Sequence, residues 1–210
     1  MENNLKIGII GAGIQGVCSA LFLQKKGYQV TLFDRDEPGN AASYGNAGHF
    51  SPYASVSLNR TDILTDVPAM LFSSRGPLAL KWNYIPKMIP WFTRFIFNCG
   101  KKKMMHTAKY MHQILDQSLP AFDELFDEID LEGLVESNGI LYVWTNKGKK
   151  SRDLEIKIRD ELGVKQQLVN PKEIHDLEPN IKPFYDGGVF YDYARHARNP
   201  KKILIKLFEN

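Results

Sequence analysis

Short apolar runs and amphipathic stretches alternate at the start of this chain, and their spacing predicts its first elements. Leu5 to Ile10 is a mostly apolar run of strand length. Ile14, Val17, Cys18, Leu21 and Phe22 then recur at helical spacing, and Gln29 to Phe33 forms a second apolar run. Gly27, between helix and second run, is placed to stop the helix. The pattern predicts strand, helix, strand. A polar, small-residue loop from Arg35 to Asn46 follows and runs into Ala47-Gly48-His49-Phe50-Ser51-Pro52. A loop of that size beside strand ends is expected to be functional.

Beyond the loop, Thr61 to Asp130 reads mostly helical. A long helix from about Met104 to Asp130, interrupted near Pro120, presents Ile114, Leu115, Leu119, Phe122, Leu125 and Phe126 on one face. Leu134 to Glu136 and Ile140 to Trp144 flank Asn138-Gly139, which predicts a hairpin. A charged helix from about Lys149 to Leu162 stops at Gly163, and Gln167 to Val169 reads as a short strand. Asn170-Pro171 opens one or two helical turns that end at Leu177. Gly187 to Tyr191 reads as another strand, and Asn199 caps a last helix opened by Pro200.

The chemistry suggested by this pattern is concentrated between the first strand and the first helix, in Gly11-Ala12-Gly13-Ile14-Gln15-Gly16. In that spacing Gly11 lets the chain turn sharply, Gly13 lets the backbone approach a pyrophosphate, and Gly16 lets helix and strand pack closely. The helix start then offers free N–H groups and a partial positive charge to the phosphates. Asp34 ends the second apolar run, about twenty residues beyond the glycines, where an acid accepts hydrogen bonds from an adenosine ribose and repels a 2′-phosphate. Together these features predict a Rossmann-like α/β dinucleotide site and disfavour NADP. The motif alone does not separate FAD from NAD.

Composition narrows the classes further. The 210 residues are 43% hydrophobic and 24% charged, as in ordinary globular proteins. A net charge of +3 is small and scattered, which argues against nucleic acid; Lys101 to Lys103 and Lys147 to Lys150 read as solvated loops. Cys18 and Cys99 offer neither a metal spacing nor a disulfide framework, as expected of a reducing compartment. His106 and His112 are six residues apart, on different helix faces, so no metal pair is expected. No secretory signal and no run of membrane-spanning length occurs, so a cytoplasmic location is expected. Ile85 to Phe97 is aromatic and apolar but carries Lys87, Arg94 and two prolines. It reads as a buried lid helix, with peripheral contact at the inner membrane surface as the alternative.

Gly11 to Gly16, Asp34-Arg35 and Ser43-Tyr44-Gly45-Asn46-Ala47-Gly48-His49-Phe50-Ser51-Pro52 together resemble the FAD-dependent amine and amino-acid oxidoreductases of the D-amino-acid oxidase superfamily. Within it, the resemblance is strongest to the bacterial D-amino-acid dehydrogenases. The Ser43 to Pro52 tract is the more diagnostic part. Gly76-Pro77-Leu78, Trp91-Phe92-Thr93-Arg94-Phe95 and Glu178-Pro179-Asn180 are also similar to that group. The resemblance implies non-covalent FAD, with the turn Gly11, Ala12, Gly13, Ile14, Gln15 and Gly16 bordering the pyrophosphate. Asp34 would take the adenosine ribose and Arg35 would lie near the adenine. Ser43, Asn46, Ala47 and Gly48 would bring polar groups and backbone amides to the ribityl and pyrophosphate region. His49 is open between facing the flavin and a structural place.

The activity implied is oxidation of a D-amino acid or related amine at Cα, with hydride passing to flavin N5 and electrons leaving to a respiratory acceptor. No catalytic side chain is assigned. In the same frame residues 1–60 form the first half of an FAD-binding domain, 61–190 part of a mixed α+β substrate domain, and 191–210 a return segment cut short. The expectation is a truncated chain, inactive alone: a non-catalytic remnant, or one part of a split flavoenzyme completed by a second polypeptide. From the glycine turn alone, an NAD-dependent dehydrogenase is the alternative.

Overall fold

In a computed structural model of the protein, described for residues 5–59, 67, 81–145 and 149–210, strands and helices are mixed along the chain. In chain order they are β1 (Lys6–Ile10), α1 (Ile14–Lys25), β2 (Gln29–Phe33), β3 (His49–Phe50), α2 (Ile85–Asn98), α3 (Lys101–Leu115) and α4 (Ser118–Phe126). There follow β4 (Val135–Glu136), β5 (Ile140–Trp144), α5 (Lys149–Glu161), β6 (Gln167–Val169), α6 (Pro171–Leu177), β7 (Gly187–Tyr191), β8 (Arg195–Ala197) and α7 (Pro200–Glu209). They fall into two compact units, one of Met1–Ser51, Gln117–Ile140 and Tyr191–Asn210, the other of Pro52–Asp116 and Leu141–Phe190.

The first unit is built on the strand-helix-strand start. β1 and β2 pair in parallel, Lys6 opposite Gln29 and Ile10 opposite Phe33, and α1 makes the crossover. A parallel pair needs such a crossover, because a tight turn reverses the chain. Val17 of α1 is buried with Ile203, Leu204 and Leu207 of α7, and Leu125, Leu134 and Ala197 complete that core. A second sheet, β3-β8-β4, is antiparallel, with His49 opposite His196 and Glu136 opposite His196 on the other side. Phe50 makes edge contacts with Phe122 and Phe126 of α4, at ring centroid distances of 4.9 and 6.0 Å.

In the second unit β7 lies between β5 and β6, and runs antiparallel to β6. Met104 and Ala108 of α3 and Ile158 of α5 are buried together. Asn170 caps α6 by accepting hydrogen bonds from the Lys172 and Glu173 amides, while the Glu173 side chain accepts one from the Asn170 amide. That reciprocal pair satisfies donors which a helix start otherwise leaves free.

Several expectations are corrected. The long helix is two: the interruption expected near Pro120 falls at Asp116-Gln117, and α4 ends at Phe126 instead of Asp130. Pro120 lacks an N–H and its ring crowds the carbonyl four residues earlier, that of Asp116, so the break precedes the proline. Asn138-Gly139 does turn the chain, with Gly139 at φ 76°, but it makes no hairpin. β4 joins β8 and β5 joins β7, in different sheets. Lys101 to Lys103 and Lys149-Lys150 open α3 and α5 instead of lying in loops. The stretch read as a buried lid is the helix α2, and none of its side chains is buried. Of Thr61 to Leu80 only Val67, which is helical, is described. Met1 to Asn4, Gly76-Pro77-Leu78 and Lys147 lie outside the described residues.

Candidate cofactor site

The site is assembled where β1 ends. Gly11 has φ 108°, which a side chain would oppose, and its N–H donates to the Phe33 carbonyl at 2.7 Å, tying the turn to β2. Gly13 is the N-cap of α1, in extended conformation. A Cβ at Gly16 would stand 1.9 Å from the Gly11 carbonyl oxygen and 3.6 Å from Ile9 Cγ2. The third glycine is therefore demanded chiefly by the backbone of the turn itself and less by strand side chains.

Asp34 folds back on this turn. Its Oδ2 accepts the Ala12 N–H at 2.7 Å and its Oδ1 the Asp36 N–H at 3.1 Å. The Ala12 amide, with that of Asp36 behind it, holds the carboxyl below the usual carboxylate range. The Ser43 hydroxyl accepts the Ile14 N–H at 3.1 Å, so a residue from the loop after β2 caps α1 from outside. The amides of Gly13, Gln15 and Gly16 have no acceptor among the described residues. They form, with the helix dipole, a donor set suited to an anion.

The loop is anchored at three further points. The Gly39 amide donates to the Ala12 carbonyl at 3.0 Å, with Gly39 at φ 78° against Leu204. Asn46 Oδ1 accepts the Gly48 N–H at 2.8 Å, and its Nδ2 donates to the Ala42 carbonyl at 3.4 Å. Gly48 is buried at φ 67°, and its carbonyl accepts the Ala197 N–H at 2.7 Å. Ala47 is exposed beside it. Lys201 of α7 donates to Asn40 Oδ1 at 2.7 Å and lies over the Tyr44 ring at 4.9 Å.

Ala12, Asp34, Ser43 and the first turn of α1 are thus one hydrogen-bonded group, while Gly48 is held on β8 and Asn46 is tied to Gly48. Gln15 is exposed and its side chain takes no part in these bonds. Arg35 is set apart: its side chain is 88% exposed and pairs at 3.4 Å with Asp36. It does share with Asp34, Phe33, Ile10 and Gly8 an open groove of about 620 Å³. His49 is exposed, its ring edge-on to that of His196 at 5.3 Å. Gly39 and Lys201 were not singled out from the sequence, although Pro38-Gly39 carries a turn signal. Cys18, inside α1, has its thiol pushed up to about 11 by burial, which keeps it protonated and unreactive.

A glycine turn, a free helix start and an acid at the end of the second strand define the class: a dinucleotide-binding α/β protein. Residues 6–210 match the family model DAO, FAD dependent oxidoreductase, and the chain belongs to that family. It is 33% identical over 210 residues to a D-amino-acid oxidase of Bradyrhizobium diazoefficiens, covering 99% of this chain and 50% of the relative. A D-amino acid dehydrogenase of Vibrio vulnificus is 27% identical over 179 residues, 84% of this chain and 43% of the relative. The chain spans about half the length of the curated relatives it matches. Among solved structures, L-proline dehydrogenase from P. horikoshii shares the fold with a TM-score of 0.59 at 16% identity, covering 100% of this chain and 42% of that one.

Proposed function

We propose that this chain carries the cofactor-binding part of an enzyme that oxidises D-amino acids at Cα with FAD. The observation that carries the reading is the convergence of Asp34 and Ser43 on the glycine turn, through the Ala12 and Ile14 amides. The D-amino-acid oxidase and dehydrogenase names of the relatives support the substrate class. FAD, when bound, supplies the hydride acceptor and carries the redox chemistry.

The chain's own groups bind and orient. Gly13, Gln15 and Gly16 donate their amides to the pyrophosphate, and Asp34 accepts from the ribose hydroxyls. Ser43 gives a lone pair to Ile14, which leaves its hydroxyl proton to point at a phosphate oxygen. Asn46, Ala47 and Gly48, the last bonded to β8, would bring their backbone to the ribityl chain. Arg35 covers the adenine end of the groove. No side chain of the chain is assigned a proton transfer. In this reading these residues bind FAD, the groups that pair with the substrate carboxylate lie outside them, and the electrons pass to a respiratory acceptor.

The test is a titration of the purified chain with FAD and separately with NAD, followed by flavin absorbance and fluorescence, then by addition of D-alanine and a dye acceptor. Saturable FAD binding without dye reduction is expected. Binding of NAD in preference to FAD would overturn the cofactor assignment, and D-alanine-dependent dye reduction would overturn the division of labour.

A further inference from the structure

Helix α7 reaches back over the loop that follows β2. Lys201 and Leu204 lie three residues apart in it, hence on one face. Leu204 is fully buried and packs against Gly39, its Cδ2 standing 3.1 Å from where a Cβ there would be. Lys201 Nζ donates to Asn40 Oδ1 at 2.7 Å and stands 4.9 Å from the centre of the Tyr44 ring. Asn40 and Tyr44 flank Ser43, whose hydroxyl accepts the Ile14 N–H. One amino group therefore grips the loop on both sides of the residue that caps α1.

This lysine stands where its charge is unfavourable to its own helix. The first turn of α7 carries Lys201 and Lys202 and no acid, although a helix start has a partial positive charge and favours acids. Among the described residues the Lys201 side chain has no partner besides Asn40 and Tyr44, so its interactions run to the loop alone. Arg35, at the start of that loop, pairs with Asp36 instead. Lys201 thus brings to the loop a cation that no carboxylate neutralises, which adds to the positive potential around the helix-start amides.

We infer that Lys201 is a positioning residue for the phosphate turn: by clamping Asn40 and Tyr44 it holds Ser43 on the Ile14 amide, and so keeps the first turn of α1 in shape for a diphosphate. It acts through the loop and without touching the ligand. The inference rests on the cofactor reading for its ligand, while the clamp itself is a property of the free chain.

Two readouts test it, one without cofactor and one with FAD. In the FAD-free chain, hydrogen exchange at the Ile14 amide should quicken about three- to tenfold in Lys201→Met, which loses a cation–π contact and a charged hydrogen bond. Lys201→Arg keeps a cation and donors at the same place and should stay near the wild-type rate. In FAD titrations Lys201→Met should lose affinity to a similar degree, and Lys201→Glu more, since it opposes the diphosphate. In Lys201→Glu the lost contacts are offset by relief at the helix start, so the FAD-free melting temperature should hold while affinity falls. The inference is overturned if Ile14 exchanges alike in the wild type and Lys201→Met, or if affinity falls only in step with melting temperature, which would make Lys201 a structural residue of α7. A wild-type chain that binds no FAD would overturn the cofactor reading instead, and the exchange rates would still decide whether the clamp exists.

Discussion

The Asp34 carboxylate and the Ala12 amide meet at 2.7 Å across 22 residues of sequence, so the acid proposed to take the ribose also braces the glycine turn. One side chain would thereby link cofactor recognition to the shape of the turn. Asp34→Ala should weaken FAD binding by roughly tenfold or more, since a hydrogen bond to a charged group is involved. Asp34→Asn keeps the shape but offers one acceptor fewer, and should fall between. Fluorescence titration of the two variants measures this; unchanged affinity in both would remove Asp34 from the site.

The same bond fixes a pH dependence. The folded protein holds the Asp34 carboxyl below its ordinary value, chiefly through the Ala12 amide. The stabilisation is therefore fully present above the unfolded-chain value of about 3.9, and is lost as pH falls through the lower folded value. Thermal unfolding of the wild type and Asp34→Asn should differ by a constant amount from neutral pH down to about 4 and converge below it. Curves that diverge on acidification would contradict the sign.

Ser43 tests the contribution of the loop. Its hydroxyl caps Ile14 from 29 residues away, so Ser43→Ala leaves a helix-start amide without its acceptor. Loss of an N-terminal cap costs about 0.5–2 kcal/mol. Ser43→Ala should lower FAD affinity as well as stability, whereas Ser43→Thr, which keeps the oxygen, should restore both. Equal behaviour of Ala and Thr, in calorimetry and in titration, would reduce Ser43 to a loop residue.

What could be read from the sequence follows the range of each interaction. β1, α1 and β2 were legible because apolar spacing and a glycine triplet are local signals. So were the caps at Asn170 and Asn199, where a polar residue directly precedes a proline. β3, β4 and β8 were not legible as one sheet: they are two or three residues long, and His49 finds its partner His196 far along the chain. Asn138-Gly139 misled for the same reason, since distant partners decided where its flanking strands went. Within the site, the glycines and Asp34 follow from spacing. The Ser43 to Gly48 loop was singled out by resemblance, and its anchoring on β8 has no sequence signal at all.

Gly48 and Gly27 share a left-handed backbone, at φ 67° and 83°, but differ in surroundings. An added Cβ at Gly27 meets nothing within 4 Å, whereas at Gly48 it would stand 2.4 Å from the Ala197 carbonyl oxygen. Gly27→Ala should therefore cost only the conformational penalty, about 1–2 kcal/mol. That corresponds to a fall in melting temperature of roughly 2–8 °C for a chain of this size. Gly48→Ala adds a backbone clash, which cannot be relieved by rotating a side chain, and overpacking typically costs a further 1–3 kcal/mol or so. The clash falls on the β3–β8 pairing, where the Gly48 carbonyl accepts the Ala197 amide at 2.7 Å. Gly48→Ala should accordingly weaken FAD binding as well as stability, while Gly27→Ala leaves FAD binding unchanged. Parallel melting curves and FAD titrations separate the two, and an intact FAD affinity in a destabilised Gly48→Ala protein would show that the loop does not need β8 to hold its cofactor.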